Sequence, residues 1–289
     1  MINKLVIVGV GLIGGSFAMA LRRSNMIGQI VGVGRNRQNL IAALDLKVID
    51  AAETDVGKAL ANADVVILSV PVGQMAGVME HMAPHLSAKT IITDAGSTKQ
   101  DVIALARQYL PNHLECFVPG HPIAGAEQSG VQAAHDNLYH GKNVILTPLP
   151  ENSAKAVELV RVLWQKSGAQ VLEMTPQVHD EIFAAVSHLP HVLAFALVAE
   201  IASRQNAEDL FRFAAGGFRD FTRIASSSPE MWRDICLANQ DAIVKEIDAY
   251  QQQLQHIRDL IAGLDGAELE RVFAAAQAAR NAWIKSGNH

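Results

Sequence analysis

Cysteine is almost missing from this chain: Cys116 and Cys236 are the two in 289 residues, far apart and in unlike contexts. That argues against a disulfide framework and against a thiolate metal site, and a reducing, cytoplasmic compartment fits best. A basic stripe is also lacking. Lys and Arg number 24 against 29 Asp and Glu, for a formal charge of -5, and they are scattered, so nucleic acid is not expected as a partner. No apolar run reaches about 18 residues without a charge or a glycine, so no membrane span is expected. The N-terminal stretch MINKLVIVGVGLIGGSF has the hydrophobicity of a secretory signal, but its glycines fall in a G-x-G-x-x-G pattern and no convincing cleavage site follows. Repeats, low-complexity tracts and long charged linkers do not occur.

What remains is a globular chain, 49% hydrophobic, with length for one large domain or two ordinary ones. Its first half alternates short β-branched runs with helical stretches: 4–10, 29–34, 64–70, 90–96, 116–120, 143–148 and 169–174, with a weaker run near 47–49. Near-continuous hydrophobicity implies strands buried on both faces, hence a parallel sheet layered with helices. From about Thr175 the pattern changes to long segments rich in Ala, Leu, Ile, Gln and Arg without a convincing strand. Ile243, Ile247, Tyr250, Leu254, Ile257 and Ile261 recur every three or four residues and mark one apolar helix face. The expected architecture is an α/β Rossmann-type dinucleotide-binding domain over 1–174, followed by an all-α dimerisation domain over 175–289. Several long helices in so short a segment enclose little core by themselves, so a second copy is the expected partner.

GVGLIG, Gly9 to Gly14, follows the first strand and opens an apolar helix. Gly9 suits the tight turn, Gly11 a close approach to a pyrophosphate, and Gly14 tight helix packing. Leu12 and Ile13 begin the helix whose free N–H groups would face the phosphates. The second strand runs into Arg35, Asn36 and Arg37, with no acid at 34–37 for a ribose 2'-hydroxyl. Two guanidinium groups there favour the 2'-phosphate of NADP, with NAD as the alternative. Ser69, Val70 and Pro71 end another strand and are placed beside the nicotinamide.

Three further groups carry possible chemistry. DAGSTKQD ends a strand, and its Ser97, with Gln100 three residues on, reads as a helix N-cap whose hydroxyl is also free to face the cleft. HPIAGAEQSG, residues 121–130, is a loop-like stretch with a histidine at the edge of the sheet. VSHLPH puts His188 and His191 three apart on a long helix that Pro190 should kink; with no third ligand evident, no metal is assigned. GGFRDFTRIASSSPEMWRDI, residues 216–235, looks unlike an amphipathic helix.

Together GVGLIGGS, TDAGSTK, GHPIAGAEQSG, VSHLPH and GFRDFTRIA resemble, in order and over essentially the whole chain, the prephenate and arogenate dehydrogenases of tyrosine biosynthesis. The resemblance implies an oxidoreductase acting on a CH–CH group: NAD(P)-dependent oxidation of a cyclohexadienol, with loss of the ring carboxylate as CO2. It implies His121 as the acceptor for the substrate hydroxyl and Ser97 as the residue orienting that imidazole and the substrate oxygen. It makes Arg223 the carboxylate clamp and brings His191, Ser187 and His188 to the substrate from the helical segment. Glu127 and Asp220 become charged groups at the mouth, Glu127 a candidate for admitting the arogenate ammonium. Chorismate mutase or regulatory domains of some relatives are not expected in 289 residues. The competing readings are a 3-hydroxyacid or 6-phosphogluconate-type dehydrogenase, which would use a helix-borne lysine, and a non-catalytic dinucleotide-binding sensor.

Overall fold

The computed structural model describes residues 2–126 and 128–286. Residues up to Gln240 form one compact unit and those from Asp241 a second. In the first, β1 (Ile2–Val8), β2 (Ile27–Val33), β3 (Ala51–Glu53), β4 (Val65–Leu68), β5 (Ile91–Asp94) and β6 (Phe117–Val118) form a parallel sheet in the order β3-β2-β1-β4-β5-β6. The helices between them are α1 (Leu12–Arg23), α2 (Arg37–Asp45), α3 (Val56–Leu60), α4 (Met75–Met82) and α5 (Gln100–Tyr109). Side chains of β1 alternate between two cores. Leu5 and Ile7 join Phe17, Leu21 and Trp164 on one face, while Val6 and Val8 join Met75, Met79 and Phe117 on the other. Burial on both faces explains why these strands read as unbroken apolar runs. The strand order reverses between β1 and β4, which opens a crevice at the carboxyl edge of the sheet.

The later apolar runs do not extend this sheet, which corrects the expectation of a single parallel layer. β7 (Gly120–Pro122), β8 (Asn143–Leu146) and β9 (Gln170–Glu173) form a separate three-stranded sheet, β7 antiparallel to β8 and β8 parallel to β9 across α6 (Ala154–Lys166). Pro119 supplies the reason. It has no N–H to donate to a ladder, so β6 ends after two residues, while its carbonyl accepts from Thr147 N at 3.0 Å and starts the new sheet. His121 therefore sits in a strand, opposite Ile145, and only the residues after Pro122 form the anticipated loop. The weak run at 47–49 is likewise displaced: Val48 and Ile49 are buried in the approach to β3, whose ladder pairs Ala51 with Val31.

Thr175 caps α7 (Pro176–Phe183) by accepting from Val178 N, and Pro176 occupies the first turn, where its missing N–H is harmless. α7 runs through a π-helical turn, Ala184–His188, into α8 (Leu189–Ala202). The sequence predicts a kink at Pro190. The widened turn is what accommodates a residue that cannot donate and would crowd the carbonyl of the preceding turn. The 27-residue helix meets length and hydropathy criteria for crossing a membrane, yet it carries His179, Asp180, His188 and His191. Bonds from His179, Asp180 and His188 to β7, α5 and Asn239 tie it into the polar interior of this unit. Then come α9 (Ala207–Arg212), α10 (Gly216–Thr222), a 3-10 turn (Arg223–Ser226) and α11 (Pro229–Ala238), so residues 216–235 are more helical than their composition suggests.

α12 (Gln240–Ala262) and α13 (Gly266–Lys285) make up most of the second unit. The apolar stripe expected on α12 is partly open, with Leu254 and Ile261 about half exposed at 47% and 56%. Phe273 and Trp283 on α13 are equally open.

Candidate active site

The glycine end of the crevice is made mostly of backbone. Gly9 has φ +97°, and a Cβ there would lie 2.6 Å from the Ser69 carbonyl oxygen. A Cβ on Gly14 would collide with Ser69 Oγ and the Gly9 carbonyl. Gly11, by contrast, has open space on its Cβ side, and α1 starts after it with no side-chain cap on its N–H groups. An uncapped helix N-terminus behind an open glycine fits a dinucleotide pyrophosphate. Ser69 Oγ donates to the Gly9 carbonyl at 2.7 Å, so Ser69 holds the glycine turn from β4, and Val70 packs against the same glycine. Asn36 caps α2, accepting from Asn39 N at 3.1 Å, and Asn39 Nδ2 reaches the Val10 carbonyl at 2.6 Å. Arg35 and Arg37 are exposed beside it, with no bond or ion pair among the described residues. Pro71 is exposed at the start of the next turn.

The histidine end is made of side chains. Gly120 N–H donates to Asp94 Oδ1 at the carboxyl end of β5 (3.1 Å), which places His121 on the same edge of the sheet as the glycine loop. Lys99, wholly buried, forms an ion pair with Asp94 and donates to the Gly120 carbonyl at 2.7 Å, fixing the strand from the other side. His121 Nδ1 lies 2.8 Å from His179 Nε2, and His179 Nδ1 lies 2.7 Å from Asp180 Oδ1. Phe183 packs edge-on against His121, with ring centroids 5.0 Å apart, and leans on His179. Burial holds His121 well below the usual imidazole range, and the charges of His179, Lys99 and His188 act in the same direction. The His179 imidazole is lowered by burial as well. Asp180 behaves oppositely. Burial pushes its carboxyl up, but bonds from His179 and from the Gln100 and Lys99 amides outweigh that and leave it below the ordinary range. His121 is thus uncharged at neutral pH.

Asp180 also corrects the reading of Ser97 as a helix cap. α5 begins at Gln100, and the amides of Lys99 and Gln100 are met by the Asp180 carboxylate at 2.8 and 2.9 Å. Ser97 is half-buried on the approach to α5 and makes no hydrogen bond among the described residues; the partner that the structure gives His121 is His179.

His188 is buried, with Nδ1 3.2 Å from Asn239 Nδ2, and that amide also donates to the Asp180 carbonyl at 2.8 Å. Burial lowers its pKa from 6.5 to about 4. His191 stacks on Trp232 at 3.7 Å and donates from Nδ1 to the Ser187 carbonyl at 2.9 Å. Burial lowers it too, and the nearby charge of Arg223 adds to the effect. Arg223 is exposed on the 3-10 turn that packs against α8. Asp220 is exposed on α10, and Glu127 lies outside the described residues. Asp94, Lys99, His179, Asp180, Trp232 and Asn239 went unread in the sequence, although Lys99 sits inside DAGSTKQD and His179–Asp180 opens the long helix.

Residues 17–173 match the family model described as prephenate dehydrogenase, nucleotide-binding domain, and residues 175–275 that of its dimerization domain. Among curated relatives, a prephenate dehydrogenase of Bacillus subtilis is 39% identical over 95% of this chain and 74% of its own length. A cyclohexadienyl dehydrogenase of Zymomonas mobilis is 36% identical over 96% and 95%. Among solved structures, prephenate dehydrogenase from Aquifex aeolicus, in complex with hydroxyphenyl propionate and NAD+, superposes with a TM-score of 0.91 at 40% identity, covering 97% of this chain and 98% of that one. Synechocystis arogenate dehydrogenase gives 0.81 at 29% identity, covering 97% and 99%.

Proposed function

The chain belongs to the prephenate dehydrogenase family, and on that premise we propose that it carries out the NAD(P)-dependent oxidative decarboxylation of prephenate to 4-hydroxyphenylpyruvate, of arogenate to tyrosine, or of both, in tyrosine biosynthesis. The observation that carries this reading is a neutral imidazole, His121, at the same sheet edge as an open glycine cradle. Gly9, Gly11 and Gly14, with the amides of Leu12 and Ile13, hold the dinucleotide, and Ser69, Val70 and Pro71 line its nicotinamide side. A bound nicotinamide supplies the hydride acceptor. His121 accepts a hydrogen bond from the ring hydroxyl, raising electron density on the carbinol carbon as its hydride departs. The bond to the ring carboxylate then breaks, its electron pair enters the ring, and CO2 leaves an aromatic product. Aromatisation makes the step downhill, so the protein's work is positioning and proton acceptance.

Arg223 serves as the carboxylate clamp, with His191, Ser187 and His188 beside it on the long helix and Ser97 reaching the substrate oxygen. Its charge is felt at His191, which supports placing it there. Asp220 and Glu127 set the charge of the mouth. Glu127 tunes the choice of substrate: Glu127→Gln is expected to lower arogenate turnover severalfold while sparing prephenate, and equal losses on both would reject that role. Arg35 and Arg37, exposed and without partners among the described residues, favour NADP over NAD. The labour divides at 174/175, the helical part carrying substrate contacts and pairing two copies through its open apolar face. Two free cysteines accord with a cytoplasmic enzyme.

The test is a four-way assay, prephenate and arogenate each with NAD and NADP, following the absorbance of the reduced nicotinamide. Turnover with either substrate supports the reading. No turnover in any arm favours the sensor alternative.

A further inference from the structure

Two neutral imidazoles 2.8 Å apart share one hydrogen, and which ring owns it decides what the outer ring offers to a substrate. The arrangement around His179 answers the question. Asp180 Oδ1 faces His179 Nδ1 at 2.7 Å, and the same carboxylate accepts from the Lys99 and Gln100 amides, the bonding pattern of an ionised, acceptor-only group. His179 must therefore carry its hydrogen on Nδ1. Its Nε2 is then a lone pair, and the hydrogen in the contact with His121 must come from His121 Nδ1. His121 Nε2, which has no partner among the described residues, is left as a bare acceptor.

We propose that His179 and Asp180 are positioning residues that lock His121 in the Nδ1–H tautomer, so that its Nε2 lone pair is always presented to the substrate hydroxyl. This goes one step inward from the role given to His121 above and rests on it. An imidazole released from the relay populates both tautomers, and the Nε2–H form would offer the hydroxyl a donor where an acceptor is needed. The surroundings hold the relay in its neutral register. Lys99 is the nearby cation acting on His121, and Asp94 is ion-paired with it, while His188, depressed to about 4, is uncharged at neutral pH. Phe183 packs against both imidazoles and restricts their rotation. Asp180 has a second function that makes the relay rigid: it caps α5, so the acceptor at the end of the chain is fixed to a helix rather than to a loop.

The experiment uses the full chain with 15N-labelled histidine at neutral pH, His121 being assigned by its absence in His121→Asn. Wild type is expected to show His121 with a protonated Nδ1 and a bare Nε2. His179→Leu removes the acceptor and is expected to shift His121 toward the Nε2–H form, lowering kcat by about 10²-fold or more while KM changes little. His179→Gln keeps an amide oxygen toward His121 and an N–H toward Asp180. It is expected to restore the Nδ1–H signal and most of the kcat that His179→Leu loses. A protonated Nε2 on His121 in the wild type overturns the proposal, as does wild-type kcat in His179→Leu. The wild-type spectrum and His179→Gln decide the matter if His179→Leu does not fold. Full activity in His121→Asn would instead remove the acceptor role itself, whereas an inactive His121→Asn beside a fully active His179→Leu removes only the relay.

Discussion

The two ends of the cleft are built on opposite plans. The glycine end is six consecutive residues, Gly9 to Gly14, whose contribution is backbone: a left-handed turn, an open glycine, and a helix that begins without a cap. The histidine end joins Asp94, Lys99, His121, His179, Asp180, His188 and Asn239, side chains from β5, the approach to α5, β7, the long helix and the residue after α11, in one hydrogen-bonded and ion-paired set. Backbone recognition tolerates changes in side chains but not the addition of a Cβ. A buried side-chain network tolerates neither a lost partner nor a changed proton, because each member is satisfied through the others.

That contrast can be tested from both sides. The largest effect is expected at the histidine end: His121→Asn should lower kcat by about 10²- to 10⁴-fold with little change in KM, measured by steady-state kinetics. Acid should come next. A histidine whose folded pKa lies below its unfolded value takes up its proton more readily when unfolded. Stability present above about pH 6.5 is then lost as the pH falls toward the folded value. For His188, depressed from 6.5 to about 4, the loss amounts to about 3 kcal/mol by pH 4. Denaturant unfolding near pH 7 and near pH 4 should show it, and His188→Asn should shrink the difference between the two. An undiminished acid loss in that variant would place the pH sensitivity elsewhere.

At the glycine end the substitutions should separate. Gly14→Val forces a side chain into Ser69 and the Gly9 carbonyl and is expected to destabilise the fold by about 1–3 kcal/mol. Gly11→Val has room, so its melting temperature should stay near wild type while dinucleotide binding weakens, as calorimetry would register. If both variants lose stability equally, the open glycine is not a ligand cradle. The smallest effect is expected from the exposed pair. Arg35→Ser with Arg37→Ser should reduce the ratio of kcat/KM for NADP over NAD by about tenfold, and a wild-type preference for NAD would reject their assignment.

Legibility follows the same division. Gly9, Gly11 and Gly14 could be read because spacing, strand and helix lie within one short segment, and Gly14 meets Ser69 because β4 pairs beside β1 in any sheet of this order. His121 stood out through the odd composition of HPIAGAEQSG, and the long helix through its apolar content. His179 could not be singled out, since nothing local distinguishes a histidine on an amphipathic helix from one that meets His121 across 58 residues. Ser97 misled for the related reason that a Ser followed by Gln imitates a cap, while the true cap, Asp180, arrives from 81 positions beyond Lys99. Pro119 was visible but its effect was not: a single absent N–H moved β7, β8 and β9 into a second sheet.

The sequence by itself determined the parallel layer, the glycine turn that opens the first helix, the helical second half and a histidine at the lip of the sheet, because each depends on periodicity or on residues within one turn of chain. Tertiary structure alone decided which groups surround that imidazole, which of them are charged, and which nitrogen of His121 keeps its hydrogen. Those properties arise from desolvation and from hydrogen bonds between residues distant in sequence, and neither exists until the chain has closed around them.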